Sequence, residues 1–279
     1  MCTCPAAVNF PDLLIVQGKY QFKPEGEFSP GSEVAGIVKS VGEGVKGINV
    51  GDHAIGSVPY GGYAQECAVP YKRVIPIPKA VPFAEAASVL MAYGTSHYAL
   101  VDRASLKSGE TVLVMGASGG VGLAAVQLAK AMGAKVIAAA SDDKKLAVCK
   151  ANGADVLINY GKDGKDMKAA LKEACPEGID VVYDPVGGPY SEIALRNMAW
   201  KGRFLVIGFA AGKIPEIPLN LALLKVQCPY ASENKMQYIV LEFSLASWYV
   251  SGVKAQASGG GKRDAEPNSA TLSSFRGSD

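Results

Sequence analysis

Gly116, Gly119 and Gly122 stand three residues apart in Val114-Met115-Gly116-Ala117-Ser118-Gly119-Gly120-Val121-Gly122. That spacing suits the binding of a pyrophosphate. Gly116 permits a tight turn, Gly119 leaves out a side chain that would block the phosphates, and Gly122 lets a helix pack closely on the preceding strand. Ser118, Gly120 and Val121 complete the loop, and backbone N–H groups at the start of the following helix would bond the anion, favoured by the helix dipole.

Cofactor choice is read at the end of the next strand. An NAD-preferring site places an acid there, about 20 residues beyond the loop, to hold the ribose 2′-hydroxyl. This strand ends Ile137-Ala138-Ala139-Ala140-Ser141, with no acid at that point. Ser141 can donate to a 2′-phosphate and Lys144 or Lys145 can neutralise it, so NADP(H) is the expected cofactor. Asp142 and Asp143 cut against this unless they face solvent in the turn. The alternative for the two lysines is a solvated helix start.

Other chemistry has little material. His53 and His97 are the two histidines. The six cysteines, Cys2, Cys4, Cys67, Cys149, Cys175 and Cys228, form no CxxC pair. A disulfide scaffold is not expected, and a reducing, cytoplasmic setting is, with a mitochondrial one left open for a longer form. The CxC of Cys2 and Cys4 reads as incidental rather than metal-binding. Lys+Arg 28 against Asp+Glu 26 gives a net charge of +2 with no basic stripe, so no nucleic-acid partner is expected. No membrane association is expected either, because the most apolar stretch, 236–250, is shorter than the roughly 20 residues a span needs and contains Glu242.

The elements that must position these residues follow from periodicity. Up to about Phe83 the chain reads as short strands and turns rich in glycine, without a long helix. Residues 84–100 have helical spacing broken by Gly94. Then strands and helices alternate: strands at 111–115, 135–140, 155–159, 179–184 and 203–208, helices at 121–132, 144–152, 165–174 and 190–200. Such alternation requires right-handed crossovers and a parallel sheet covered on both faces. The 32 glycines, about 11% where roughly 7% is average, fit turns and close backbone approaches. Residues 255–279, rich in Gly and Ser, read as a disordered tail.

Taken together, these stretches resemble the zinc-independent, ζ-crystallin-like quinone oxidoreductases of the medium-chain dehydrogenases/reductases. The likeness is carried by Val8-Asn9-Phe10-Pro11-Asp12, Gly18-Lys19-Tyr20, Pro30-Gly31-Ser32-Glu33-Val34-Ala35-Gly36, Gly51-Asp52-His53-Ala54-Ile55-Gly56, Gly61-Gly62-Tyr63-Ala64, the 116–122 loop, Gly153-Ala154-Asp155, Ile158-Asn159-Tyr160, Asp184-Pro185-Val186-Gly187-Gly188 and Ile207-Gly208-Phe209. These motifs run in family order over about four fifths of the chain.

The resemblance implies an α/β fold: a Rossmann doubly wound parallel sheet plus a β-rich, GroES-like domain that is incomplete, with catalysis between them. The expected division is 1–94 for the GroES-like domain, 95–225 for the Rossmann domain and 226–279 for an atypical tail. By the same resemblance, Ser141, Lys145 and Tyr160 hold the adenosine 2′-phosphate, Val186, Gly208 and Phe209 line the cofactor, and Asn9 and Tyr20 line the nicotinamide and substrate side. Tyr63 joins Asn9 and Tyr20 as a candidate to hydrogen-bond a substrate carbonyl. For Tyr20 and Tyr160 the alternative is ordinary packing.

Zinc is not expected. Where alcohol-dehydrogenase relatives have a cysteine ligand this chain has Asn9, where they have Gly-His-Glu it has Gly31-Ser32-Glu33, and residues 57–60 replace the four-cysteine lobe. The resemblance then implies hydride transfer from NADPH to a quinone or α,β-unsaturated carbonyl, an acceptor that stabilises its own developing oxyanion. Relative to the family, about thirty residues are missing before Asn9, and the sequence beyond Lys225 departs from the pattern, as an alternative or frame-shifted terminus would. Family members are homo-oligomers, and the sheet edge that pairs them is expected to be altered here. The competing expectations are a catalytically weak, crystallin-like NADPH-binding protein and a poorly folded truncated product.

Overall fold

The computed structural model describes residues 1–161, 167–218 and 220–221, all within one compact unit, Met1–Glu242. The run at 236–250 and the 255–279 tail lie outside the described residues.

The β-rich part contains strands β1 (Cys2–Ala6), β2 (Glu33–Ile37), β3 (His53–Ser57) and β4 (Val74–Pro76), antiparallel in the order β1-β2-β3-β4. A short helix, α1 (Phe10–Val16), follows β1. The stretch 61–69, expected as strand, is a loop instead. Its start is stitched to the loop before β2, with Gly61 N–H donating to Ser29 O at 2.7 Å, Gly62 N–H to Gly31 O at 2.9 Å and Tyr63 N–H to Pro30 O at 2.9 Å. Those bonds replace a sheet ladder and aim Tyr63 at α1.

After α2 (Phe83–Ala86) comes one helical segment, 89–103: the α-helical turn α3 (Gly94–His97) between π-helical stretches Val89–Tyr93 and Tyr98–Arg103. Gly94 does not break it, since its φ of −60° and ψ of −47° are helical.

The second half is the expected parallel sheet. Strands β5 (Thr111–Val114), β6 (Lys135–Ala140), β7 (Val156–Asn159), β8 (Ile179–Asp184) and β9 (Met198–Val206) lie in the order β7-β6-β5-β8-β9, every pair parallel. The connecting helices are α4 (Gly120–Ala131), α5 (Asp143–Ala151), α6 (Met167–Ala174) and α7 (Tyr190–Arg196). Strand side chains alternate between two faces. Val112, Val114, Val136, Ala138, Val181 and Tyr183 pack with α4 on one face; Leu113, Met115, Ile137, Ala139 and Val182 pack with α6 and α7 on the other. Burial on both faces explains why these strands read as unbroken apolar runs.

Two boundaries differ from expectation. Helix α7 stops at Arg196, four residues before the expected end, and β9 starts at Met198 rather than Arg203. The ladder to β8 slips between Ile179 and Val181, and Lys201 sits at a φ of +63°. That bulge carries the strand through Trp200, Lys201 and Gly202, where the sequence has no strand signature.

Candidate active site

The strand order reverses between β5 and β8, and in an open parallel sheet the crevice at that point is where ligands bind. The two loops that flank it carry the glycine motifs. Gly116, at a φ of +55°, ends β5, and a Cβ on it would lie 2.7 Å from Val186 Cγ2 in the loop after β8. Gly119 caps α4 with extended backbone, and space is open around Gly120. The first-turn N–H groups of α4, at Gly120, Val121 and Gly122, have no carbonyl within the helix to bond and face this crevice. A Cβ on Gly122 would lie 2.4 Å from Gly116 O and 2.9 Å from Ala117 Cα, so this glycine is what lets α4 close on β5.

The loop after β8 is built on Asp184, which is 2% exposed. Its carboxylate accepts from Val186 N at 2.8 Å, Gly187 N at 2.9 Å and Ser191 Oγ at 2.6 Å. Phe209 packs against Gly187, and Gly208 N–H donates to Asp184 O at 3.3 Å, so Val186, Gly208 and Phe209 share one wall.

Ser141, Lys145 and Tyr160 are brought together at the ends of β6 and β7. Lys145 Nζ donates to Ser141 Oγ at 2.8 Å and lies 3.3 Å from Asp142 Oδ2. Asp142 is the N-cap of α5, its Oδ1 accepting Lys145 N–H at 2.9 Å, while Asp143 accepts from Asn159 Nδ2 at 2.6 Å. Bonds from the Lys145 backbone and ammonium hold the Asp142 carboxyl below its ordinary range. Both acids thus have structural partners, which answers the objection their presence raised. Tyr160 N–H donates to Ala140 O at 3.0 Å and its ring packs on Tyr190 with centroids 4.7 Å apart. Burial, then the neighbouring Tyr190 and Asp184, pushes its hydroxyl pKa up. The turn is tight: a Cβ on Gly161 would lie 1.9 Å from Ser141 O. A glycine cradle at a helix N-terminus and a Ser/Lys pair one strand away fit a dinucleotide that carries a 2′-phosphate.

The remaining three candidates gather around two carboxylates that sequence reasoning did not select. Asp12, 3% exposed, accepts Asn9 N–H at 2.9 Å and the Tyr63 hydroxyl at 3.0 Å through Oδ2. Glu33, 1% exposed, accepts Asn9 Nδ2 at 3.1 Å through Oε2, and Leu90 N at 2.5 Å and Met91 N at 3.2 Å through Oε1. Burial pushes the Glu33 carboxyl up to about 7, against the lowering effect of its three hydrogen bonds, with the Asp12 charge adding to the rise. Tyr63 is pushed up to about 12 by burial and by Asp12, and half-buried Tyr20 is raised by the same two causes. With its proton given to Asp12, Tyr63 offers a substrate only an acceptor. Tyr20 makes no hydrogen bond among the described residues. One signal for Asp12 lies in the sequence: Asn9-x-x-Asp12 before an apolar run has the spacing of a capping box.

Among the described residues no group of three or more His, Cys, Asp and Glu could hold a metal ion, and no helix is long and apolar enough to cross a membrane.

Residues 4–79 match the family model of the alcohol dehydrogenase GroES-like domain, and residues 120–228 match that of zinc-binding dehydrogenases. Quinone oxidoreductase-like protein 2 of Bos taurus is 42% identical over 219 residues, 78% of this chain and 62% of the relative. The chain therefore spans about three fifths of the length of the curated relatives it matches best. Among solved structures, Escherichia coli quinone oxidoreductase complexed with NADPH superposes with a TM-score of 0.71 at 32% identity, covering 80% of this chain and 68% of that one. A mycobacterial protein complexed with NADPH gives 0.74 at 33%, covering 80% and 69%. With a doubly wound parallel sheet, a GroES-like sheet and matches of this extent, the chain belongs to the quinone oxidoreductase family of the medium-chain dehydrogenases/reductases.

Proposed function

We propose that the chain binds NADPH and reduces a quinone or an α,β-unsaturated carbonyl without zinc. The observation that carries this reading is the junction of the 116–122 cradle with the Ser141, Lys145 and Tyr160 corner on neighbouring strands. Bound there, NADPH supplies hydride from C4 of its nicotinamide. The first turn of α4 takes the pyrophosphate, Lys145 and Ser141 bind the 2′-phosphate, and Val186, Gly208 and Phe209 exclude water from one side. On the substrate side, Tyr20 and the second N–H of the Asn9 carboxamide are the donors for the carbonyl oxygen. Tyr63 positions them through Asp12. Asn9 and Ser32 stand where zinc-using relatives have ligands, which supports a reaction without metal. The division into 1–94, 95–225 and 226–279 belongs to the same proposal, as does a small-molecule partner.

Titration of intrinsic fluorescence with NADPH, followed by steady-state assay with a quinone, tests the reading. Saturable binding with turnover supports it. Binding without turnover favours a crystallin-like binding protein, which the commitment of Asn9 and Tyr63 to buried carboxylates would suit. Absence of saturable binding overturns both.

A further inference from the structure

Glu33 is the most deeply buried acid on the substrate side, and it faces three elements at once. From the first residue of β2, one oxygen reaches the start of the 89–103 helix, 57 residues on in sequence, and the other reaches Asn9 at the entrance to α1. A carboxylate at a helix N-terminus accepts N–H groups the helix cannot use and meets the positive end of its dipole. The same helix is bolted to the glycine loop at its other side. The buried Tyr183 hydroxyl and Ser96 Oγ lie 2.8 Å apart, and Ser96 Oγ donates at 2.8 Å to Val121 O in the first turn of α4. One turn earlier, the Tyr93 hydroxyl bonds Gln127 of α4, whose Nε2 donates to Asn152 at 2.6 Å. Glu33 is thus one end of a continuous path of hydrogen bonds from Asn9 to the phosphate cradle.

Resting on the reading given under Proposed function, we propose that Glu33 is a positioning residue: its carboxylate sets the sense of the Asn9 carboxamide and clamps the 89–103 helix, holding the substrate side in register with the glycine loop. An ionised carboxylate only accepts hydrogen bonds, so Asn9 must turn its Nδ2 inward. A protonated Glu33 can donate instead, and then Asn9 is free to turn its Oδ1 inward and present both N–H groups outward. The titratable group acting on Glu33 is Asp12 of α1, and through Asp12 the hydroxyls of Tyr63 and Tyr20. The helix side contributes the uncharged N–H groups of Leu90 and Met91.

Two variants separate the two parts of the role. Glu33→Gln keeps an oxygen for Leu90 and Met91 but sets an amide against Asn9. It is expected to lower kcat/KM for the quinone about ten-fold while leaving the NADPH dissociation constant within two-fold. Glu33→Ala removes both acceptors and is expected to weaken NADPH binding as well. In an Asn9→Ala background Glu33→Gln should cost nothing further, the mark of a residue that acts through Asn9. A readout independent of turnover is the pH dependence of amide resonances in 15N-labelled full-length protein. The Asn9 side-chain amide and the Leu90 backbone amide should titrate together near pH 7, and the titration should vanish in Glu33→Gln. Titration that persists in Glu33→Gln, or additive losses in the double variant, would overturn the proposal. Titration as described in a protein that neither binds NADPH nor turns over quinone would leave the Glu33 linkage standing and reject the oxidoreductase reading instead.

Discussion

Gly122 lies against the carbonyl of Gly116, so close that a methyl group on it would sit 2.4 Å from that oxygen. Gly120, two residues earlier, has open space where its side chain would be. Gly122→Ala is therefore expected to push α4 off β5 and destabilise the protein by about 1–3 kcal/mol. Gly120→Ala should fold normally and lose NADPH affinity alone. Urea unfolding and fluorescence titration on the two variants check the contrast.

Lys145 is held over Ser141, within 3.3 Å of only one oxygen of Asp142. Lys145→Ala is expected to weaken NADPH binding about ten- to a hundred-fold and to leave NADH binding nearly unchanged, because the lost contact is to the 2′-phosphate. Parallel titrations with the two nucleotides measure it.

Tyr63 and Tyr20 should separate by stability. Tyr63→Phe removes the donor to a buried carboxylate whose other oxygen, Asp12 Oδ1, has no partner among the described residues, and is expected to cost about 1–3 kcal/mol. Tyr20→Phe breaks no such bond, and its expected effect is a fall in kcat for quinone without a change in Tm. Unchanged kinetics in Tyr20→Phe would remove Tyr20 from the reaction.

Glu33 links folding to pH. Its carboxyl is raised from 4.5 to about 7 in the folded protein, so the folded state holds the proton more tightly than the unfolded chain. Its contribution is most favourable below pH 4.5 and is lost as pH rises through 7, on the order of 3 kcal/mol in all. Glu33→Gln should match the parent near pH 5 and exceed it in stability at pH 8, as read from urea midpoints.

Arg203 grips Glu110 with both terminal nitrogens, at 2.8 and 2.6 Å, while its Nε donates to Ala104 O at 2.9 Å. Partial burial raises the Glu110 carboxyl, but the bonds from Arg203 and Lys107 N–H outweigh it and leave the pKa lowered. This contribution is present above the ordinary carboxylate pKa and fades as pH falls below it. Arg203→Ala is expected to cost about 2 kcal/mol at pH 7 and less at pH 3 by thermal unfolding.

The parallel sheet was legible because Thr111-Val112-Leu113-Val114 and Val136-Ile137-Ala138-Ala139-Ala140 are buried on both faces and carry no competing pattern. The glycine loop was legible because its spacing is local. Elements decided by distant partners were not. Gly94 reads as a break, yet the helix runs through it because Glu33 caps its start and Ser96 ties its middle to α4. The extra residues of β9 depend on a bulge against β8 that leaves no trace in the order of residues. Asp12 and Glu33 look like ordinary surface acids until the fold supplies N–H donors from 3 to 58 residues away.

The closeness of Gly161 to Ser141 bears on how this protein could change its nucleotide over generations or in the laboratory. With the backbone of the β7 turn pressed onto the Ser141 carbonyl, no side chain can enter from residue 161. Any shift of preference must be written at residues 141–145, where an acid in place of Ser141 would meet a ribose hydroxyl and repel a phosphate. Selectivity is thereby confined to a few exchangeable surface positions, while the sheet that carries them stays unaltered.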